Sequence, residues 1–267
     1  MFSADRYFER IGWRGALTPT LDTLTSLMRA HVERIPFENL DVLLGHGSRI
    51  DLESVSAKLV ERRRGGYCFE HSTLFRAALE HIGFQPVAHA ARVVMVTPRQ
   101  SAPRTHMFLT VVLDGNTYVL DPGFGGHGPL VPLPLVENLE TREGPDVHRF
   151  RRRDGEWLLE TEIAGTMAPL WMSTLEPESP IDFVLGNHFT STWPDSRFVQ
   201  CLMLRAITAD GRRVSVMNRD VTVAQNGALE KSQLPDRAAL RTLLAREFGI
   251  DLSEVERLKV PTVPEWT

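Results

Sequence analysis

The sequence predicts an α+β chain of two or three subdomains, and three observations carry that reading. Apolar residues recur at helical spacing up to about Gly83, the middle of the chain breaks into short β-branched runs punctuated by Gly and Pro, and the last part alternates strand-like runs before one more amphipathic helix. At 267 residues, 42% of them apolar, the chain is also long enough to divide its core.

The first unit, residues 1–83, reads as helical. "LDTLTSLMRAHVERI" sets Leu21, Leu24, Leu27 and Met28 on one helical face. "RRRGGYCFEH" then leads into "CFEHSTLFRAALEHIGF", where Cys68, Ser72, Phe75 and Leu79 share an apolar face and the two glycines allow a sharp backbone turn just before the cysteine. The second unit, residues 84–188, runs from "FQPVAHAARVVMV" through "WLLETEI" as short antiparallel strands. Within it "THMFLTVVLDGNTYVLDPGFGG" reads as a hairpin turning at Asp114-Gly115, a strong two-residue turn signal. The third unit, residues 189–267, holds strand-like runs "FVQCLMLRAIT" and "RRVSVMN" joined by Ala209-Asp210-Gly211. It closes with a helix capped by Asp236, ended by Gly249 and striped with Leu240, Leu243, Leu244 and Phe248. The Pro-rich "GPLVPLPL" is long enough only for a loop, and no repeat is present.

Charge and cysteine content exclude several function classes. The formal net charge is −4, so the basic runs Arg62-Arg63-Arg64 and Arg149 with Arg151-Arg152-Arg153 read as solvated faces and not as a nucleic-acid surface. "MFSADRYFERIGW" has no apolar core followed by a small-residue cleavage site, and no apolar run approaches a bilayer span, so neither export nor membrane insertion is expected. Cys68 and Cys201 have neither zinc-ligand spacing nor a disulfide framework, which fits a reducing, cytoplasmic setting with no metal site.

Cys68 is the residue with chemical promise. In the first turn of a buried helix, the free backbone N–H groups and the positive end of the dipole favour a thiolate, although a free cysteine is more often a small core hydrophobe. In the hairpin, a two-residue loop makes Leu113 face Asn116 and pairs Phe108 with Asp121 by extension, which brings His106 diagonally beside Asp121 on one face. A three-residue loop would put the two on opposite faces. Cys, His and Asp supply what thiol acyl transfer needs: a nucleophile, a base for its proton, and a carboxylate that fixes the imidazole.

Taken in order, "RGGYCFE", "TH" opening a strand and "DPGFGG" after the next strand resemble the arylamine N-acetyltransferases. "YFERIGW", "IPFENLD" and "NHFTSTWPDSRF" extend the resemblance to about three quarters of the chain. It implies an N-terminal helical bundle, a central antiparallel β-barrel and a C-terminal α/β lid around a cysteine-protease-like core, with Cys68, His106 and Asp121 as the triad. It further implies acetyl-CoA as co-substrate and no permanently bound cofactor. An acetyl-Cys68 thioester would form from a resting Cys–His ion pair, with an arylamine, hydrazine or arylhydroxylamine as acceptor. By the same resemblance Gly123, Gly125 and Ser196 approach coenzyme A, and Phe37 and Phe124 border the acceptor pocket. The chain departs from the family's pattern at Pro122, usually aliphatic, at His71 and Ser72, which replace a polar pair with Asn, and at Asp195, often a small hydroxyl.

Other readings remain open on the residues alone. A thiol hydrolase or transglutaminase-like enzyme uses the same Cys, His, Asp order, and a relative of the same fold could take another acyl donor or close an amide. A catalytically dead binding module would leave the triad matches without a purpose.

Overall fold

The computed structural model describes residues 2–266. Helix α1 (Ala4–Ile11) starts where the Ser3 hydroxyl accepts from the Arg6 N–H and ends at Gly12, whose φ of 67° suits a residue without Cβ. Helix α2 (Leu21–Arg34) buries Leu24, Leu27 and Met28 as its spacing predicts, but Leu21, at the first helical position, overhangs the core and is 41% exposed. A short strand, β1 (Phe37–Glu38), follows, then helices α3 (Leu40–Leu43), α4 (Leu52–Ser56) with a π-helical continuation Ala57–Glu61, and α5 (Cys68–Ile82). Cys68, Ser72, Phe75 and Leu79 are all buried, so the predicted face of α5 is the face that packs.

The middle of the chain forms β2 (Val87–Val93), β3 (Arg104–Leu113), β4 (Asn116–Leu120), β5 (Leu133–Pro134), β6 (Glu140–Glu143), β7 (Asp146–Arg153), β8 (Glu156–Ile163) and β9 (Thr166–Ser173). They make one antiparallel sheet in the order β5-β4-β3-β2-β9-β8-β7-β6. Its two edge strands are consecutive in the chain, and a bridge between Glu137 and Phe150 lies at that seam, so the sheet is a nearly closed barrel. Phe108 and Trp171 stack inside it with ring centroids 4.4 Å apart. Leu113 pairs with Asn116 across the β3–β4 turn, and both Asp114 and Gly115 have positive φ, 49° and 77°, as a type I′ turn requires.

Helix α6 (Pro180–Thr192) comes next and runs across position 188. After it come α7 (Arg197–Gln200), strands β10 (Met203–Ile207), β11 (Arg213–Met217), β12 (Asp220–Gln225) and β13 (Ala228–Gln233), and α8 (Arg237–Leu243). Asp236 caps α8, which continues as a π-helical turn to Gly249. Three readings of the sequence need correction. "FVQCLMLRAIT" is not one strand: the Ser196 hydroxyl accepts from the Phe198 N–H and starts α7, which leaves Cys201 as its C-terminal cap. The β12–β13 hairpin escaped the reading, although Asn226-Gly227 is another two-residue turn with φ of 50° and 80°. Arg64 is no solvated charge; it is largely covered, with its guanidinium 2.7 Å from Glu38 and 2.9 Å from Asp41.

The first and last parts of the chain are joined by more than packing. β1 is the edge strand of the β10–β13 sheet, pairing Phe37 with Arg205. Next to it Asn39 Nδ2 donates to the carbonyls of Phe198 (2.9 Å) and Cys201 (2.8 Å), and its Oδ1 accepts from Met203 N–H (2.9 Å).

Candidate active site

Cys68 is the first residue of α5, and the residues before it explain why it sits there. Tyr67 is extended, and its N–H donates to Glu70 Oε2 at 3.1 Å, which closes the helix start. The two glycines serve close approach and not a left-handed turn, since neither has positive φ. A Cβ on Gly65 would come 2.1 Å from the Pro36 carbonyl oxygen, and one on Gly66 would come 2.6 Å from Glu70 Oε2. This closeness lets Gly66 bond back to back with β1: its N–H donates to Pro36 O (3.2 Å), and its carbonyl accepts from Glu38 N–H (2.9 Å). Behind the loop Lys58 reaches Glu70 (2.8 Å) and Asp41 (3.0 Å). Burial alone would lower the Lys58 pKa, but Glu38, Glu70 and Asp41 raise it above its ordinary value.

His106 lies on β3, and Asp121 directly follows β4, so the hairpin register brings them together. His106 Nε2 is 2.9 Å from Asp121 Oδ2, and the Trp171 indole N–H donates to the same oxygen at 2.9 Å. Both His106 and Asp121 are buried. Burial pulls the His106 pKa down, yet the Asp121 carboxylate, with a smaller contribution from Cys68, carries it up to about 10. Because Nε2–H faces Asp121, Nδ1 is the nitrogen left for Cys68, whose sulfur donates to the carbonyl of Thr105, the residue before His106, at 3.7 Å.

Cys68 and His106 open into a cavity of about 570 Å³ that Phe37, Gly123, Phe124 and Ser196 also line. Phe124 meets the His106 ring edge to face, with centroids 5.2 Å apart. Gly123 presses on the nucleophile: a Cβ there would lie 2.6 Å from Cys68 Cα. Gly125 does not line this cavity. Its φ of +73° turns the loop away, its carbonyl accepts from Arg205 Nη1 at 2.7 Å, and it faces a separate pocket of about 20 Å³ with Asp121, Pro122 and His71. The Ser196 hydroxyl donates to the Thr190 carbonyl at 2.6 Å while capping α7, so it has a structural task as well as a place in the cavity wall.

The N-acetyltransferase family model matches residues 20–257. The chain is 34% identical over 253 residues to the arylamine N-acetyltransferase of Escherichia coli K12, covering 94% of this chain and 90% of that one. It is 37% identical over 254 residues to the enzyme of the same name from Mycobacterium bovis, covering 93% and 89%. The chain belongs to the arylamine N-acetyltransferase family. Its fold superposes on the Mycobacterium marinum arylamine N-acetyltransferase in complex with CoA with a TM-score of 0.89, at 34% identity and covering 95% of this chain and 94% of that one. The Nocardia farcinica arylamine N-acetyltransferase gives the same TM-score at 34% identity, covering 99% and 95%.

His71 and Pro122 both lie beneath the site, lining the small pocket with Asp121 and Gly125. His71 packs under the glycine loop, where a Cβ on Gly123 would lie 2.9 Å from its own Cβ. Pro122 has no N–H to offer its neighbour, and Asp121 Oδ1 is buried without a partner among the described residues. Two contacts escaped the sequence reading. Trp171, on β9, donates to Asp121, and Asn187, the first residue of "NHFTSTWPDSRF", accepts with Oδ1 from the Tyr67 hydroxyl at 2.6 Å.

Proposed function

We propose that this chain transfers acetyl groups from acetyl-CoA to arylamines, arylhydrazines and hydrazides through a thioester on Cys68. The observation that carries the reading is His106 bonded to Asp121 and opening with Cys68 into one cavity, in a chain of this family. The His106 imidazole takes the Cys68 proton, and the sulfur attacks the acetyl carbonyl carbon. The carbon–sulfur bond to coenzyme A breaks, and its thiol leaves with the proton from His106. In the second half the amine nitrogen attacks acetyl-Cys68, the carbon–sulfur bond breaks, and the amine's proton passes through His106 back to the sulfur. Asp121 holds the ring orientation and its charge throughout.

On this reading Gly123 and Ser196 face the coenzyme from the cavity wall, with Gly125 supporting them through Arg205, and Phe37 and Phe124 border the acceptor. The three units then divide the work: residues 1–83 carry the nucleophile, 84–188 carry His106 and Asp121, and 189–267 cover the cavity, with α6 bridging the last two. The protein works in the cytoplasm. Among the described residues no helix is long and apolar enough to cross a membrane.

The test is acetyl-CoA alone. Intact protein should gain about 42 Da on Cys68, the mass of one acetyl group, and hold it until an arylamine or hydrazide discharges it. Varying both substrates should give the parallel double-reciprocal lines of a ping-pong mechanism. Rapid acetate release that no acceptor accelerates would instead make the protein a hydrolase.

A further inference from the structure

Four of the six residues from Gly123 to Gly128 are glycines, so the loop that follows Asp121 has little in its own side chains to hold one shape. Its position nevertheless matters. A Cβ on Gly123 would lie 2.6 Å from Cys68 Cα, Phe124 meets the His106 ring edge to face with centroids 5.2 Å apart, and a Cβ on Gly125 would come 2.9 Å from the Phe37 ring. Three consecutive residues thus touch the nucleophile, its base and the cavity wall. Gly125 and Gly126 both have positive φ, 73° and 27°, and ordering glycines in this way gives up more backbone freedom than ordering any other residue. Within the loop the Gly128 N–H donates to the Gly125 carbonyl at 2.8 Å, which closes a turn but ties it to nothing outside.

Two side chains supply that tie. His148, on β7, donates from Nε2 to the His127 carbonyl at 2.9 Å. Arg205 donates from Nη1 to the Gly125 carbonyl at 2.7 Å, from a strand paired on one side with Phe37 and on the other with Ser215. Arg205 is an unusual donor. It is 6% exposed, no carboxylate among the described residues pairs with it, and nearby Asp146 is taken by Arg213 at 2.6 Å. Burial lowers its pKa to about 10, so the guanidinium keeps its charge at neutral pH. A charged donor bonds a carbonyl roughly twice as strongly as a neutral one, and a side chain rooted between two paired strands does not drift with the loop. Among the described residues no hydrogen bond or ion pair joins Arg205 to Cys68, His106 or Asp121. Only the loop connects them.

We propose that Arg205 is a positioning residue for the acyl transfer: through the Gly125 carbonyl it holds the glycine loop so that Phe124 sets the His106 ring and Gly123 sets the start of α5. The proposal deepens the transferase reading above and rests on it. Its test pairs the rate of Cys68 loading by acetyl-CoA with the His106 ring-proton resonances of the protein without substrate, which feel the ring current of Phe124. Arg205→Met lowers the maximal loading rate about thirtyfold, and Arg205→Lys, a shorter but still charged donor, about threefold. In both, half-maximal loading needs acetyl-CoA within about twofold of the wild-type concentration, and the His106 resonances are displaced, further in Arg205→Met. Wild-type loading or wild-type resonances in either folded variant overturns the proposal, as does a loss of stability alone. If half-maximal loading instead needs far more acetyl-CoA while the resonances stay in place, Arg205 contacts the coenzyme and the positioning role is wrong. Should Arg205→Met not fold, Arg205→Lys decides by the same two readings. A wild-type protein that never loads would sink the transferase reading and the positioning role with it, a result that no Arg205 variant can produce.

Discussion

His31 Nε2 stands 2.9 Å from His71 Nδ1, and both rings are buried beneath Cys68. Because His71 Nε2 faces only carbonyl oxygens, it carries the ring proton and Nδ1 accepts, so His31 donates from Nε2 and its Nδ1 accepts from the Tyr7 hydroxyl at 2.8 Å. His71 in turn donates from Nε2 to the carbonyls of Gly66 (3.2 Å) and Pro36 (3.3 Å), the two oxygens that fasten the cysteine loop to β1. Every member of this one-way chain is uncharged. Burial drives the His31 pKa well below its ordinary value and holds His71 down to about 4.

Acid should therefore weaken the fold through these two rings. In the unfolded chain they take up protons near pH 6.5, while folded His71 resists until about pH 4, so the unfolded state binds more protons between those values. The stability they contribute is present above pH 6.5 and drains as pH falls toward 4. Urea midpoints measured from pH 7 to 4.5 should fall, and the fall should be shallower in His71→Gln. His31→Leu should cost about 1–3 kcal/mol at neutral pH, since it leaves the Tyr7 hydroxyl and His71 Nδ1 unpaired.

Asp121→Asn should leave the fold intact and lower turnover by orders of magnitude, because an amide offers no charge to an imidazolium and can hold the wrong tautomer. The His106 pKa, carried up to about 10 beside Asp121, should fall in this variant when followed by NMR. The linkage runs opposite to that of His71. A raised histidine stabilises fully below pH 6.5 and loses that contribution as pH climbs through 10, so the alkaline loss should shrink in the variant. Near-normal acetylation would remove Asp121 from the mechanism.

Cys68→Ser should abolish turnover and the acetyl adduct together, while Cys201→Ser keeps both. Cys201 caps α7, only partly buried, with its sulfur 3.6 Å from Thr262 Oγ1 and outside the cavity wall. Its replacement should cost less than about 1 kcal/mol. Peptide mapping after acetyl-CoA treatment decides between the two thiols.

Lys58→Met should destabilise by about 3–5 kcal/mol, because Glu70 would keep its burial and lose its cation. Chemical denaturation gives the number. Since Glu70 also holds the Tyr67 N–H at the start of α5, the rate of Cys68 alkylation should change in the same variant.

What the sequence revealed follows from how local each device is. Asp114-Gly115 sets a type I′ turn by itself, and that turn alone fixes which face His106 and Asp121 share. The buried face of α5 is likewise written in its own spacing. Arg64 could not be read, because its partners Glu38 and Asp41 arrive only when the loop folds onto β1. Trp171 is hidden for the same reason, donating to Asp121 from β9. Cys201 misled because a hydroxyl cap at Ser196 outweighs the apolar run that follows it.

Asn39 binds the main chain at Phe198, Cys201 and Met203, and this has a bearing on how the protein is born. Synthesis delivers the helical residues and the barrel first, and their local contacts can form while the chain is still growing. The three bonds of Asn39 cannot, since their partners are made some 160 residues later. Bringing ends so far apart together adds an entropic cost that grows only as about (3/2)RT ln n, so distance in sequence delays the closure without forbidding it. Until Met203 has cleared the ribosome, Cys68 and His106 can already be neighbours, but the part of the cavity wall supplied by Met203 to Arg205, Ser215 to Met217, Asp220 and Thr222 does not yet exist. A nascent chain stalled before that point should carry a thiol open to any electrophile, and acetylation with lasting retention of the acetyl group should begin only once the last sheet has docked.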